Sequence, residues 1–240
     1  GFMRGRLGMD NLLLLEAASM LAARSGAVSP VLCFLDIAAA FPSLLHDFMK
    51  EVLTKFLGNH PLNHMISMMY DDNVCDLVIR GSVMPGFRVL CGVRQGCPLS
   101  GSLFALTFHP ILVSISEALY RQAMNIGHDI FGYADDLALV MYEFWLLLPA
   151  LDRALTVIAS AAGLHIQWKK VQLIPLWARP DMEYMRKRMT ATCPRWKPAK
   201  IDLAAKYLGI LVGPGVSDIS AFAAPLSKYI ERCRFIAKMS

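Results

Sequence analysis

Three features of the sequence predict an α+β fold. Short runs rich in β-branched and aromatic residues come in neighbouring pairs, the pattern of hairpins. Longer segments with apolar residues at helical spacing lie between those pairs. The two kinds follow one another irregularly, whereas a doubly wound parallel sheet would alternate strand and helix throughout.

Taken in order, Asp10 precedes a helical run over residues 11–24 that stops at Gly26; a short acidic side chain before the first turn and glycine after the last are helix punctuation. Val31, Leu32, Cys33, Phe34 and Leu35 form a continuous apolar run that ends in Asp36. It reads as a buried strand delivering a carboxylate at its end. Helices are expected over 43–57, with Gly58 behind, and over 62–70. The β-rich runs 74–80 and 87–91 flank a loop at 81–86 and read as a hairpin. An apolar-periodic helix follows over 98–119. Residues 130–133 and 137–142 are a second strand pair, with Ala134, Asp135 and Asp136 at the tip. A helix over 145–162 stops at Gly163, strands are expected at 170–176 and 207–212, and an amphipathic helix at 217–238 closes the list.

The 240 residues are 55% hydrophobic with a mean hydropathy of +0.44, so a sizeable core is available. The longest greasy stretch, residues 137–151, is interrupted by Glu143 and Pro149, and no run reaches the about 18 apolar residues of a spanning helix. No membrane partner is expected, and with no signal-peptide layout an intracellular place, nuclear or cytoplasmic, is. Net charge is +5. Seven basic residues lie between positions 179 and 200 against Asp181 and Glu183, so that segment carries the whole excess. It reads either as a surface that tracks phosphates or as a solvated helix face and loop. The six cysteines form no C-x-x-C pair and read as reduced thiols.

The carboxylates carry the chemistry. An aspartate pair in a turn is ordinary turn chemistry when taken alone. Bracketed by hydrophobic strands, however, Asp135 and Asp136 repel unless a cation neutralises them, and oxygen-rich sites favour Mg²⁺. If Asp36 sits on the neighbouring strand, three carboxylates converge, and that set fits two metal ions clamping an in-line displacement at phosphorus.

Five motifs in order resemble one family. Phe131-Gly132-Tyr133-Ala134-Asp135-Asp136 is similar to the Y-x-D-D box of reverse transcriptases. Asp36 with Ala40-Phe41 resembles their D-x-x-x-A-F motif, and Arg94-Gln95-Gly96-Cys97-Pro98-Leu99-Ser100 with Leu103-Phe104 their R-Q-G-x-P-L-S…L-F motif. Gly163-Leu164-His165-Ile166 through Lys170 resembles G-L-x-I-N-x-x-K, and Tyr207-Leu208-Gly209 the primer grip. The wording is that of the non-LTR, LINE-like type. Ala39, Pro42, Cys97, Gly101 and Gln167 depart from the commonest residues, but no departure removes a carboxylate or Phe41.

The resemblance implies a right-hand polymerase palm, an antiparallel sheet packed by helices, with partial fingers. Residues 1–30 would be the remnant of the fingers, 31–212 the palm and 213–240 the start of the thumb or a terminal helix. It implies RNA-directed DNA polymerisation with an RNA template, a DNA primer and dNTPs. Asp36, Asp135 and Asp136 would be catalytic and hold two Mg²⁺ ions, with Mn²⁺ as a substitute. Lys170 would serve the leaving pyrophosphate. Ile37, Phe41, Gln95 and Gly96 would bind the nucleotide, Phe41 excluding a 2′-hydroxyl, and Tyr207, Leu208 and Gly209 would grip the primer. With the upstream fingers outside the sequence, weak activity is expected of this chain alone. The sequence leaves open an inactive remnant that binds RNA through residues 179–200, a group II intron maturase-like enzyme, and a metal-free domain whose aspartates merely close a turn.

Overall fold

The structure, a computed structural model, describes residues 7–237. Its centre is β1 (Val31–Asp36), whose first five residues are buried. A strand that apolar needs neighbours on both edges and cover on both faces, and it has them. The main sheet has five strands: β4 (His128–Tyr133), β5 (Asp136–Met141), β1, β6 (Gln172–Pro175) and β7 (Lys200–Ile201), in that order. Pairing is antiparallel except between β6 and β7.

Side-chain alternation divides the core in two. Val31, Cys33, Leu35, Leu137, Leu139, Met141 and Leu173 face the larger core. There α3 (His46–Leu57), α5 (Ser100–Gln122) and α6 (Phe144–Ala162) supply Met49, Leu53, Phe104, Phe108, Leu147 and Leu151. Leu32, Phe34, Ala138, Val140 and Ile174 face the other way. They are covered by Leu12, Leu15, Ala18 and Ala22 of α1 (Gly8–Arg24), and by the hairpin of β8 (Ala205–Tyr207) and β9 (Ile210–Val212). The spacing of the four α1 residues is one helical stripe. By length and hydropathy alone α5 and α6 are each long enough to cross a bilayer, although polar residues interrupt the apolar run in both. Both contain a proline, Pro110 and Pro149, and both pack one side on the sheet.

Several boundaries differ from expectation for local reasons. Asp10 lies in the first turn of α1, and Leu7 is the N-cap, with no side-chain cap. The helix expected over 43–57 is broken into α2 (Ala40–Ser43) and α3, because Leu45 is extended, bonds through its N–H to the Ala162 carbonyl and bridges Cys91. The hairpin of β2 (Val74–Ile79) and β3 (Ser82–Arg88) closes in two residues, Arg80 and Gly81, at φ +52° and +83°, not through a loop at 81–86. Positive φ at both central positions is the type I′ turn that suits strand twist. The single strand expected over 207–212 is instead the β8–β9 hairpin. Its turn is Leu208 and Gly209, both at positive φ, a signal that Gly209 already carried. The basic segment contains α7 (Met182–Thr192), capped by the Asp181 carboxylate on the Tyr184 N–H. The remaining helices are α4 (Pro61–Tyr70) and α8 (Asp218–Ala237).

Candidate active site at the ends of β1 and β5

Asp36 ends β1 and Asp136 begins β5, and the two are direct partners in the antiparallel register. Directly opposed residues project from the same face of a sheet with Cβ atoms about 5 Å apart. The two carboxylates therefore share the face that carries Phe34 and Ala138. Asp135 stands beside them in the β4–β5 turn, since Tyr133 pairs with Asp136 and leaves only Ala134 and Asp135 between strands. Ala134 takes φ +57° there, a strained region for a residue with a Cβ. Partial desolvation of the Asp136 carboxyl, then the charges of Asp135 and Asp36, raise its pKa above the usual carboxylate value.

A lysine answers that charge. Gly163 ends α6 at φ +74°, and a Cβ on it would stand 2.5 Å from the Ser43 carbonyl oxygen, so glycine is needed there for both conformation and space. The following segment runs beside the end of β1: the Ala38 N–H donates to the His165 carbonyl and the Gln167 N–H to that of Asp36, each at 2.8 Å. A 3-10 turn, Trp168–Lys170, then presents Lys170, whose Nζ lies 3.2 and 3.3 Å from the two Asp36 carboxylate oxygens. Among the described residues no three His, Cys, Asp or Glu side chains close around one point. Asp36 is turned to Lys170.

Tyr207 forms the floor. It is buried, stacks on Phe34 at 5.1 Å, and donates its hydroxyl proton to Asn11 Oδ1 at 3.2 Å. Asn11 in turn donates to the Gly132 carbonyl at 3.1 Å, so one α1 side chain ties Tyr207 to the acid-bearing hairpin. Burial, with the charge of Asp136, pushes the Tyr207 phenol well above its ordinary range. Asp36, Asp136, Lys170, Lys200, Lys206 and Tyr207 all line one cleft of about 190 Å³.

The other expected site residues do not line that cleft. Ile37 is buried and bridges Ile166. Phe41 stacks on the buried Phe104 at 4.4 Å, while its carbonyl accepts from the Val93 N–H. Gln95 and Gly96 sit on an exposed loop, Gly96 at φ +83° with open space where a Cβ would go. Leu208 and Gly209 are the β8–β9 turn.

Sequence reasoning missed the residues that fix this loop. His46 is 4% exposed, stacks edge-on against Tyr70 and donates from Nε2 to the Gly92 carbonyl at 2.8 Å. The Tyr70 hydroxyl accepts from the Arg94 N–H, and the Arg94 guanidinium donates to the Met69 carbonyl and the Asn73 side chain. Gly92 has no room for a Cβ, which would fall 2.8 Å from the Pro42 carbonyl oxygen. A buried histidine has no signature in a single sequence; the glycine was visible only as part of a motif.

The basic segment is mostly occupied by packing. Arg195 bonds Asp152 (Nε to Oδ1, 2.6 Å) and Thr156 and lies over Trp168. Arg188 covers the Trp145 ring at 4.4 Å, Arg186 donates to the Ala199 carbonyl and Lys187 pairs with Glu183. Four of the seven cations thus hold this segment to itself and to α6.

An antiparallel sheet with helices on its back, and with carboxylates at adjoining strand ends beside a strained two-residue turn, defines the palm of a right-hand nucleic-acid polymerase. The comparisons specify which kind. The sequence profile described as "Reverse transcriptase (RNA-dependent DNA polymerase)" matches residues 1–212, and the chain belongs to that family. It is 30% identical over 172 residues to the Transposon TX1 uncharacterized 149 kDa protein of Xenopus laevis, covering 69% of this chain and 13% of that protein. It is 26% identical over 196 residues to the retrovirus-related Pol polyprotein from type-1 retrotransposable element R2 of Bradysia coprophila, covering 79% and 22%. These relatives are non-LTR retrotransposon proteins, so the LINE-like type holds; the chain spans less than a quarter of either. Among solved structures, telomerase of Candida albicans with a telomeric RNA fragment superposes with TM-score 0.61 at 10% identity, covering 90% of this chain and 36% of that one. Apo telomerase of Candida tropicalis gives 0.57 at 13%, covering 85% and 34%. At such identities the likeness is one of fold, and the fold is the polymerase palm.

Proposed function

We propose that this chain copies an RNA template into DNA by transferring a nucleotidyl group from a dNTP to a primer 3′-hydroxyl. The primer oxygen bonds to the α-phosphorus, the bond to pyrophosphate breaks, and the hydroxyl proton is lost. One observation carries the reading: Asp36 and Asp136 are in-register partners, and Asp135 is the residue before Asp136.

That donor set fits Mg²⁺. It is all oxygen, and the Asp136 carboxyl, raised first by partial desolvation and then by the charges of Asp135 and Asp36, is one that a bound cation would favour in its charged form. Asp36, Asp135 and Asp136 would hold two ions, and bound metal would acidify the attacking hydroxyl and neutralise the departing phosphates. The chain's own part is positioning. Lys170 balances Asp36 and, once displaced from it, is placed for the leaving pyrophosphate. Phe41, backed by Phe104, stands as a rigid ring for the sugar, while Ile37, Gln95 and Gly96 contact the nucleotide. Tyr207, Leu208 and Gly209 hold the primer end. Residues 31–212 act as palm, with 1–30 as a remnant of the fingers and 213–240 as the start of the thumb or a terminal helix, and the protein works inside the cell.

Single-nucleotide extension of a DNA primer on an RNA template tests this. Mg²⁺- or Mn²⁺-dependent, template-matched addition is expected, weak with this chain alone and lost in Asp36→Asn and Asp135→Asn. Phe41→Ala should admit ribonucleotides at least about tenfold better relative to dNTPs, since a packed ring excludes an extra oxygen sterically. Tight primer–template binding with no addition at any metal concentration would leave an inactive RNA-binding remnant instead.

A further inference from the structure

Resting on the polymerase reading, we infer that Lys200, together with Lys206, binds phosphates of the strand being extended, behind its 3′ end. The strand registers place Lys200. Phe131, Ala138, Phe34, Gln172 and Lys200 are successive partners across β4, β5, β1, β6 and β7. They form one row on one face of the sheet. This is the face of the Asp36–Asp136 pair, which lies two residues further along its strands. Lys200 is therefore set back from the acids by two residues and across from Asp36 by two strands. Its backbone is fixed by an N–H bond to the Val171 carbonyl at 2.9 Å. Lys206 reaches the same cleft from β8, next to Tyr207, which stacks on Phe34 in the row of Lys200.

The cations are unevenly engaged. In the cleft Lys170 is paired with Asp36; outside it Arg186, Arg188 and Arg195 are held by packing contacts and Lys187 by Glu183. The ammonium groups of Lys200 and Lys206 have no ion-pair partner among the described residues, although both line the cleft that holds the acids. A nucleotide's triphosphate belongs at the acid row, where Lys170 stands. Cations set back from that row match the phosphates that precede a 3′ end placed on it. Because each such contact releases a counterion, it has a measurable salt signature.

The test is fluorescence anisotropy of a labelled DNA primer annealed to an RNA template, titrated with the full 240-residue chain over a salt series. No nucleotide is present, so the result does not depend on catalysis. Lys200→Gln and Lys206→Gln should each weaken binding about five- to tenfold and lower the slope of log K against log salt by about 0.9. The arginine replacements should restore both. Lys197→Gln, outside the cleft, should change neither. A second arm measures KM for dNTP and competition by inorganic pyrophosphate in single-nucleotide extension. Wild-type affinity and slope in the two glutamine variants, or equal loss in Lys197→Gln, overturn the inference. So does a raised KM for dNTP with primer–template affinity intact, which would assign the lysines to the triphosphate. Absence of extension by the wild type refutes the polymerase reading alone and leaves the anisotropy result standing.

Discussion

The hairpins β2–β3 and β4–β5 are built alike, with strands of six or seven residues, antiparallel pairing and a two-residue turn whose first residue takes positive φ. Their surroundings are opposite. Every residue of β2 and β3 is exposed, including Val78, Ile79, Val83 and Phe87, and the pair forms a sheet of its own. In the other hairpin Leu137 to Met141 are buried and β5 is paired on both edges. An isolated two-stranded hairpin is marginal in water. A turn that concentrates two like charges and a strained alanine persists only where its surroundings over-determine it. Asp135 and Asp136 are on the hairpin that the core holds, beside Asp36 of β1, and the exposed hairpin carries no part of that site.

The largest expected effect breaks the comparison at the turn itself. Asp135→Asn should cost on the order of a thousandfold in kcat, the scale of losing a charge-stabilising group, while thermal unfolding stays close to wild type. Equal loss of activity and fold would mean that the turn is structural. Next come matched deletions in the two hairpins. Leu139, fully buried in β5, should lose about 3 kcal/mol on truncation to Ala. Val78, 70% exposed in β2, should lose no more than about 0.5 kcal/mol by urea denaturation. Comparable losses would show that β2–β3 is covered in solution. Gly86→Ala sharpens the point. A Cβ there would stand 1.6 Å from the Cys75 carbonyl oxygen, so the bulged pairing must open. Hydrogen exchange should rise across β2 and β3, with the global midpoint shifted by less than about 2 °C. A large global shift would tie the hairpin to the core.

Much of this was legible in the sequence because it is local. The short run from Val31 to Leu35 reads as a buried strand, and the acid-tipped hairpin was readable from the apolar runs beside Asp135 and Asp136. That Asp36 meets Asp136 was not, because register between strands a hundred positions apart in the chain is set by tertiary packing. The turn at Arg80 and Gly81 was misplaced since Pro85 and Gly86 give a stronger local signal for a loop than the residues that turn. The break before α3 was invisible for a related reason: Leu45 is extended by bonds to Ala162 and Cys91, both distant in sequence. Composition left the basic segment open between two readings. Arg195, Arg188 and Arg186 bind Asp152, Trp145 and a backbone carbonyl while Lys200 lines the cleft, and charge count alone does not separate such packing from a phosphate surface.

The smallest effect separates charge from geometry in the core-held hairpin. Asp136 has its carboxyl pKa raised by partial desolvation, then by Asp135 and Asp36. A carboxyl raised on folding binds its proton more tightly folded than unfolded, so its contribution is most favourable at low pH and is lost as pH climbs from the unfolded value through the folded one. Asp136→Asn keeps the shape and removes the charge. At pH 7 it should therefore raise Tm, by about 2 °C, with the advantage shrinking toward zero as the wild-type carboxyl is protonated in acid. Val78→Thr, in the exposed hairpin, should show no such pH dependence. Added Mg²⁺ should stabilise the wild type more than Asp136→Asn and so reduce the difference, because a cation bound among the acids relieves the same repulsion. A difference in Tm that ignores both pH and Mg²⁺ would show that the acids do not interact, and with that the electrostatic case for a metal between β1 and β5 fails.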